Sequence, residues 1–357
     1  MGASSTRVER VPTTAPEEVH VARARLQDVA QRAGVSLATA SRVLNGSDRQ
    51  PGPQLVERVR AAAAELGYVV NAQAQALARA RTGLLGLVVQ DISDPYFSTI
   101  AAGAQAAARE RGRLVLLAST ERDPAAERDA VAAFAAHRVD GIVVAGTRWS
   151  SDEDAALVAE LGAYEAAGGR AVIVGQPLGD ARVVRPPNAE GARDLATALL
   201  GQGHRRFVVL SGPARVATSQ ERAGAFAEAV RAGGGDVVAT LETEFSRDGG
   251  HEIGDELARL VRAEAGEPPC VFAVTDVMAI GVIARLRELG VEVPRDVRVA
   301  GFDDVPTLRD HAPALTTVHI PLEEMGRRAV VAAVDDGAAA TETVVDHEVV
   351  LRESTRP

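Results

Sequence analysis

The sequence predicts an α/β protein with a small all-α N-terminal head and a larger body that contains two parallel sheets. In residues 25–70, apolar residues recur at helical spacing and Gly residues stand where helices would end. In residues 83–350, short apolar runs alternate with Ala-rich helical stretches, which is typical of parallel strands covered by helices on both faces. A length of 357 residues suits two or three domains.

Charge is unevenly distributed along the chain. The formal net charge is −10, yet residues 23–82 contain nine Arg against four acidic residues, a local net charge of +5. A basic head on an acidic body indicates that a polyanion would bind at the head.

The composition excludes several classes of protein. A single cysteine, Cys270, rules out an internal disulfide framework and a Cys-rich metal site. The N-terminal residues lack the apolar core of a signal peptide, and no stretch has the ~18 uncharged apolar residues that a membrane span needs. We therefore expect a cytoplasmic protein without membrane association, metal or cofactor, whose residues 1–24 form a disordered arm.

Three short helices are expected in the head. The first begins at Leu26 and ends at Gly34, the second begins at Ser36, and the third covers residues 54–66. Two short helices joined by a Gly-containing turn form a helix-turn-helix unit, whose second helix lies in the major groove of DNA. A small helical bundle with solvated polar residues is the alternative, and the basic surplus on the same segment argues against it.

Candidate DNA-contacting residues lie along the second helix. An Arg can form two hydrogen bonds with a guanine, whereas Leu37 and Ala38 offer only apolar contact, for example to a thymine methyl group. The candidates are Ser36, Leu37, Ala38, Thr39, Ser41, Arg42 and Asn45.

The run LQDVAQRAGVSLATASRVLNG, followed by ELGYVVN, resembles the head of LacI/GalR-type transcriptional regulators. The resemblance implies that Tyr68 and Asn71 also contact DNA. It further implies that residues 71–82 form a hinge helix whose Leu77 inserts into the minor groove. A segment this short is not stable as an isolated helix in water. It can therefore fold into a helix on DNA and unfold when the protein leaves the DNA. A plain Ala-rich linker is the alternative for this segment.

The body contains none of the common catalytic motifs. The fingerprint G-x-G-x-x-G after a strand, the P-loop and G-x-S-x-G are absent, and the His residues have no metal-like spacing. We therefore expect that the protein is not an enzyme. Strands are expected at 84–89, 114–117, 141–145, 171–174, 207–210, 271–274 and 297–300, and helices at 96–111, 125–137 and 188–201.

Ligands of open parallel sheets bind outside the carboxyl ends of the strands. There the sequence places residues 91–97, Trp149, the stretch that leads to Arg222, Thr275 and residues 302–304. An Arg, several carboxylates and a few aromatic rings suit a polar small molecule such as a sugar.

The LacI/GalR resemblance continues across the body, for example in LSGPARVATSQERAGAF and VAGFDDVP. It implies a two-lobed, periplasmic-binding-protein-like fold that binds an effector. The implied effector-binding residues are Tyr96, Phe97, Thr218, Arg222, Phe245, Thr275 and Asp303. The alternatives are a helix-surface ion pair for Arg222, a turn cap for Asp303 and core packing for the aromatic residues.

These observations favour a sequence-specific DNA-binding regulator, a repressor whose operator affinity is controlled by a sugar or sugar derivative. One head gives too little contact with DNA, so we expect a homodimer that reads a palindromic double-stranded operator. The body, residues 83–350, would bind the effector and dimerise, and residues 351–357 would form a C-terminal tail. A cytoplasmic solute-binding protein without a regulatory role is the remaining alternative, and it leaves the head unexplained.

Overall fold

The computed structural model describes residues 24–45, 51–69, 81–148, 151–263, 267–335 and 340–356. The chain divides into two compact units, Met1–Ala80 and Arg81–Pro357, each of which has its own core. Within the described ranges, no helix combines the length and the apolar character needed to cross a membrane.

The head contains three described helices, α1 (Leu26–Ala33), α2 (Leu37–Asn45) and α3 (Pro53–Glu65). Small and branched side chains from all three, such as Val29, Ala40 and Val59, form its core. Gly34 ends α1 with a φ of 65°, a left-handed conformation that a residue with a side chain rarely adopts. The helices agree with the predicted ones to within a residue or two at their ends.

The first half of the body alternates strands and helices. Its elements are β1 (Leu84–Val89), α4 (Pro95–Glu110), β2 (Leu114–Ser119), α5 (Pro124–Ala136), β3 (Gly141–Ala145), α6 (Ser151–Ala166), β4 (Ala171–Val174) and β5 (Arg182–Arg185).

The second half of the body continues the alternation of strands and helices, and its strand β11 (Glu342–Val344) then joins the sheet of the first half. Its elements are α7 (Asn188–Gly201), β6 (Arg206–Ser211), α8 (Ala217–Ala232), β7 (Asp236–Glu242), α9 (Arg247–Ala263), β8 (Cys270–Ala273), α10 (Asp276–Glu288), β9 (Arg298–Ala300), β10 (Thr317–His319), α11 (Leu322–Val334), β11 (Glu342–Val344) and β12 (Glu348–Val350). Short 3₁₀ helices cover Pro306–Asp310 and Glu353–Thr355.

Two separate parallel sheets define two lobes, which confirms the predicted fold class. The first lobe has the strand order β11-β5-β4-β3-β1-β2, and the second has β7-β6-β8-β9. Strands β10 and β12 form an antiparallel pair outside both sheets. The central strands are apolar throughout because helices cover both of their faces.

The C-terminal residues, predicted as a tail, pack against the second lobe. Ser354 is fully buried, its hydroxyl donates to the Val299 carbonyl at 2.6 Å, and it accepts from the Thr316 amide at 2.8 Å. Ser354 is therefore part of the hydrogen-bonded structure of the body.

Candidate functional site

One face of helix α2 is buried, and the other exposes both polar and apolar side chains. Ala40 and Val43 point into the head core, whereas Ser36, Leu37, Ala38 and Arg42 are exposed. Leu37 is 52% exposed, which is unusual for a leucine in so small a domain. The other three candidates on α2, Thr39, Ser41 and Asn45, are half-buried.

Hydrogen bonds within α2 hold several of these side chains. The Ser36 hydroxyl accepts from the Thr39 amide at 3.1 Å, so it caps the first turn of the helix. The Asn45 side chain donates to the Ser41 hydroxyl at 2.9 Å. Ser36 and Thr39 also share a hydrogen bond between their hydroxyl groups at 2.8 Å. The start of α2 is therefore ordered before any partner arrives.

The remaining DNA-binding candidates are divided between described and undescribed residues. Tyr68 is half-buried and packs against the head core. Asn71, Leu77 and most of the predicted hinge helix 71–82 lie outside the described residues, as does Trp149.

A cavity of about 450 Å³ lies between the two lobes of the body. All seven predicted effector-binding residues line it. They are Tyr96, Phe97, Thr218, Arg222, Phe245, Thr275 and Asp303. They come from both lobes and from five separate stretches of chain, and they meet because the carboxyl ends of the strands face the cavity.

Arg222 lies at the centre of the cavity wall on helix α8. It is 1% exposed and its guanidinium lies 3.9 Å from the centre of the Phe302 ring. Its Nε donates to Asn188 Oδ1 at 2.9 Å and its Nη1 donates to the Val274 carbonyl at 2.8 Å. These bonds fix the side chain inside the body, so the alternative of a helix-surface ion pair is not what the structure contains.

Asp303 faces Arg222 from the loop after β9. Its Oδ1 lies 2.8 Å from Arg222 Nη2, but no N–H group of the described residues is aligned with that oxygen for a hydrogen bond. Burial raises the pKa of Asp303 to about 6, although the Arg222 charge acts in the opposite direction. Asp303 has a φ of 114°, a backbone conformation that is strained for a residue with a side chain. Asp303 Oδ1 is thus held at the cavity and can accept a hydrogen bond from a ligand.

Several cavity residues were not among the predicted ones. Gln90, Asp94 and Thr147 line it, and Gln176 and Asn188 bond residues that do. Gln90, Thr147 and Gln176 each follow a strand by one or two residues. The rule that ligands bind outside the carboxyl ends of strands was applied to β1 and β3, but it was read from residue 91 and at Trp149, past Gln90 and Thr147, and it was not applied after β4, where Gln176 lies.

Hydrogen bonds join the two lobes at one side of the cavity. The Thr218 hydroxyl and amide bond Thr147 Oγ1 at 2.9 and 3.1 Å. The Gln176 side chain donates to Thr218 Oγ1 at 2.8 Å and to Glu221 at 3.3 Å. These bonds hold the two walls of the cavity together on this side.

Asp94 and Arg122 form a charged pair near the aromatic wall. The Asp94 carboxylate accepts from the Tyr96 amide at 2.9 Å and caps helix α4, while Arg122 lies 3.4 Å from it. Arg122 also lies 5.9 Å from the centre of the Phe245 ring in the other lobe. Burial raises the pKa of Asp94, and the Tyr96 amide and Arg122 oppose this effect.

Two family models match the chain. Residues 25–71 match the model described as bacterial regulatory proteins, lacI family, and residues 196–355 match the periplasmic binding protein-like domain. The chain is 32% identical over 338 residues to the HTH-type transcriptional regulator DegA of Bacillus subtilis, covering 93% of this chain and 98% of DegA. It is 33% identical over 341 residues to the HTH-type transcriptional regulator CelR of Thermobifida fusca, covering 92% and 97%.

Solved structures show the same architecture. A complex of the transcriptional regulator CelR with cellobiose superposes with a TM-score of 0.65 at 31% identity, covering 93% of this chain and 100% of that one. The lac repressor dimer bound to operator superposes with a TM-score of 0.80 at 24% identity, covering 93% and 99%, which supports the fold.

A helix-turn-helix head combined with a two-lobed body that encloses a polar cavity defines a transcriptional regulator. The chain belongs to the LacI family. This confirms the predicted family and general function. Because the family consists of transcriptional regulators and not enzymes, the prediction that the chain is no enzyme is confirmed as well.

Proposed function

We propose that this chain is a repressor that binds a palindromic operator as a homodimer and responds to a neutral, sugar-like effector held between its lobes. The observation that carries the proposal is the convergence of Tyr96, Phe97, Phe245, Arg222 and Asp303 on one buried cavity. Solute binding without regulation leaves the head without a role, and family membership argues against it.

The charges in the cavity favour a neutral ligand with several hydroxyl groups. Arg222 is already paired with Asp303 and bonded to Asn188 and Val274, so little of its charge remains for an anionic ligand. Asp94 and Asp303 would repel an anion, whereas carboxylate oxygens accept hydrogen bonds from hydroxyl groups. The rings of Tyr96 and Phe245 supply flat apolar faces of the kind that a sugar ring packs against.

The exposed face of α2 supports direct reading of DNA with few hydrogen bonds. Arg42 and Ser36 can bond base edges or phosphates, while Leu37 and Ala38 make apolar contacts. Specificity would then depend in part on DNA shape and on the predicted insertion of Leu77 into the minor groove.

Selection on a random duplex library tests the DNA-binding half of the proposal. The purified full-length protein should retain a palindrome, and its affinity for that duplex should fall steeply as salt rises. Retention of no common motif, with and without sugars present, would contradict the proposal of a sequence-specific repressor.

Leu77→Ala tests the hinge prediction. Removal of the inserted side chain should weaken binding to the selected palindrome far more than binding to random duplex, because only the specific complex bends the DNA around the wedge. Gel-shift titrations with both duplexes measure the two losses. The exposed Leu351 on the body provides a matched Leu→Ala control that should change neither affinity. Equal losses on both duplexes would refute the wedge role.

A sugar titration tests the effector-binding half. Cellobiose and a panel of monosaccharides should be titrated calorimetrically against the protein alone and against its complex with the selected duplex. A regulator requires a different affinity in the two states, because a ligand that binds both equally shifts no equilibrium. Equal affinity in the two titrations would exclude control by that sugar.

A further inference from the structure

Asp276 is a fully buried carboxylate that does not line the effector cavity. It is the first residue of α10, directly after the cavity residue Thr275, and none of its surface is exposed. Burial and the neighbouring Asp303 raise the pKa of Asp276 well above its ordinary value. Burial of a carboxylate costs free energy unless its oxygens accept hydrogen bonds. The contacts of Asp276 should therefore account for its burial.

Both carboxylate oxygens and the amide of Asp276 bond the loop that carries Asp303 or the strand β10 beside it. One carboxylate oxygen accepts from the Val305 amide at 3.0 Å, and the other accepts from the Thr317 hydroxyl at 2.6 Å. The Asp276 amide donates to the Phe302 carbonyl at 2.9 Å. These bonds hold the loop on both sides of Asp303 and connect it to strand β10.

The loop between β9 and Pro306 needs such support because its backbone is strained. Asp303 and Asp304 have φ values of 114° and 54°. Two consecutive residues with side chains at positive φ persist only where the surroundings fix them. Gly301 has no side chain at the point where the loop meets Asp276, and a Cβ there would collide with the carboxylate. The fit between the loop and Asp276 is therefore close.

The two strained residues direct their side chains to different partners. Asp303 pairs with Arg222 at the effector cavity, while Asp304 pairs with Arg352 at 2.7 Å and with His319 at 3.1 Å. A small rotation of the loop would disturb both sets of contacts at once. The group that fixes the loop thus also fixes where the Asp303 carboxylate lies.

We propose that Asp276 is a positioning residue for effector binding: through Val305 and Thr317 it holds the strained loop so that Asp303 faces the cavity. It does not touch the ligand, and it acts through Asp303. The inference rests on the proposed effector site, but the loop contacts can be tested without any ligand.

Hydrogen–deuterium exchange of the ligand-free full-length protein tests the contact itself. Asp276→Asn and Thr317→Val should each speed exchange of the 301–306 backbone about tenfold, because a buried hydrogen bond that fixes the loop is lost or weakened. Thr317→Ser keeps the hydroxyl donor and should restore slow exchange. Asp255→Asn, on the surface of the same lobe, is the matched control. Exchange of strand β6 reports whether a variant is merely less stable overall.

Two outcomes of this experiment would overturn the proposal. One is unchanged exchange at 301–306 in Asp276→Asn and Thr317→Val while β6 remains protected. The other is a uniform increase over β6 and the loop in both variants, which would indicate a general structural role. Should Asp276→Asn fail to fold, Thr317→Val is read at the Val305 amide, which bonds Asp276, because the Thr317 hydroxyl also accepts directly from the Asp304 amide at 3.4 Å.

A double-mutant cycle with cellobiose tests the action through Asp303. If wild-type protein binds cellobiose, Asp276→Asn should weaken binding at least tenfold, but it should have little further effect in an Asp303→Asn background. Equal losses in both backgrounds would contradict the proposal. Absence of cellobiose binding by the wild type would count against this sugar as the effector and would leave the exchange result to decide the role of Asp276.

Discussion

At the scale of single residues, the pair formed by Arg222 and Asp303 is the central feature of the body. A buried ion pair is weak evidence for stability, since desolvation of both groups offsets much of their attraction. Asp303 is also strained and lacks an aligned hydrogen-bond donor among the described residues. Strain and unused bonding capacity at one residue are typical of a site shaped for a ligand.

The raised pKa of Asp303 predicts a pH-dependent stability. Its folded-state pKa of about 6 lies above the ordinary value of 3.8, so the folded state binds the proton more readily than the unfolded state. The contribution of Asp303 to the free energy of unfolding is therefore largest below about pH 4 and is lost as the pH rises through 6. Urea unfolding at pH 4 to 7 should show the wild type losing stability relative to Asp303→Asn over this range.

Asp255→Asn provides a control of opposite sign. Arg285 donates hydrogen bonds to the Asp255 carboxylate and lowers its pKa, so the wild type should gain stability relative to this variant as the pH rises to about 4, the ordinary pKa of Asp, and should change little between pH 4 and 7. If the wild type instead became more stable relative to Asp303→Asn with rising pH, the Arg222 charge would dominate over burial.

At the scale of elements, glycines set how closely the helices of the body pack. A Cβ on Gly103 of α4 would collide with the backbone of Glu323, and one on Gly326 of α11 would collide with the backbone of Ile100. The pair α9 and α10 has the same arrangement at Gly250 and Gly281. Each lobe thus contains a helix pair whose backbones are in direct contact.

Gly103→Ala should destabilise the body by about 1–3 kcal/mol, because the backbone of α11 has to move to admit the methyl group. Gly162 on α6 is a matched control, since a Cβ there meets nothing within 4 Å. Gly162→Ala should be neutral or stabilise by up to about 1 kcal/mol through its higher helix propensity. Thermal unfolding of both variants measures the contrast, and similar midpoints would show that α4 and α11 can separate at little cost.

Most elements of the fold were predictable because their hydrophobic patterns are strong. The strands Leu84–Val89, Gly141–Ala145 and Ala171–Val174 have the predicted ends. Strands β5, β7, β10, β11 and β12 were not predicted from the sequence. Strand β7 lies at the edge of its sheet and is half-exposed, so its residues lack the continuous apolar run of a central strand. The other four have only three or four residues each.

At the scale of the whole molecule, the body offers an exposed edge suited to dimerisation. Strand β2 is an edge of the six-stranded sheet, and Leu114 and Leu117 on it are 69% and 39% exposed. Unpaired edge strands with exposed apolar side chains favour association with another chain. This observation supports the proposed homodimer.

Leu117→Asp should weaken the proposed dimer and reduce operator affinity, because a charge at an apolar interface loses its hydration and paired heads bind DNA more tightly than one. Val344→Asp is the matched control, since Val344 is similarly exposed on β11 at the opposite edge of the same sheet. Sedimentation equilibrium measures the association, and gel shifts measure the affinity. Dimers that persist in Leu117→Asp, or that are lost in Val344→Asp, would place the interface elsewhere.

The sequence by itself determined the helix-turn-helix head and the alternation of strands and helices in the body, because these depend on periodicity and turn residues, which are local properties of the chain. The seven predicted effector-binding residues came from the resemblance of its motifs to the LacI family, and all seven line the cavity. Only the tertiary structure decided that Arg222 donates hydrogen bonds to Asn188 and the Val274 carbonyl and lies in an ion pair with Asp303. It also decided that Thr147 bonds Thr218 across the lobes and that Asp276 supports the loop of Asp303. These contacts join residues 29 to 81 positions apart in the chain, so no local pattern encodes them.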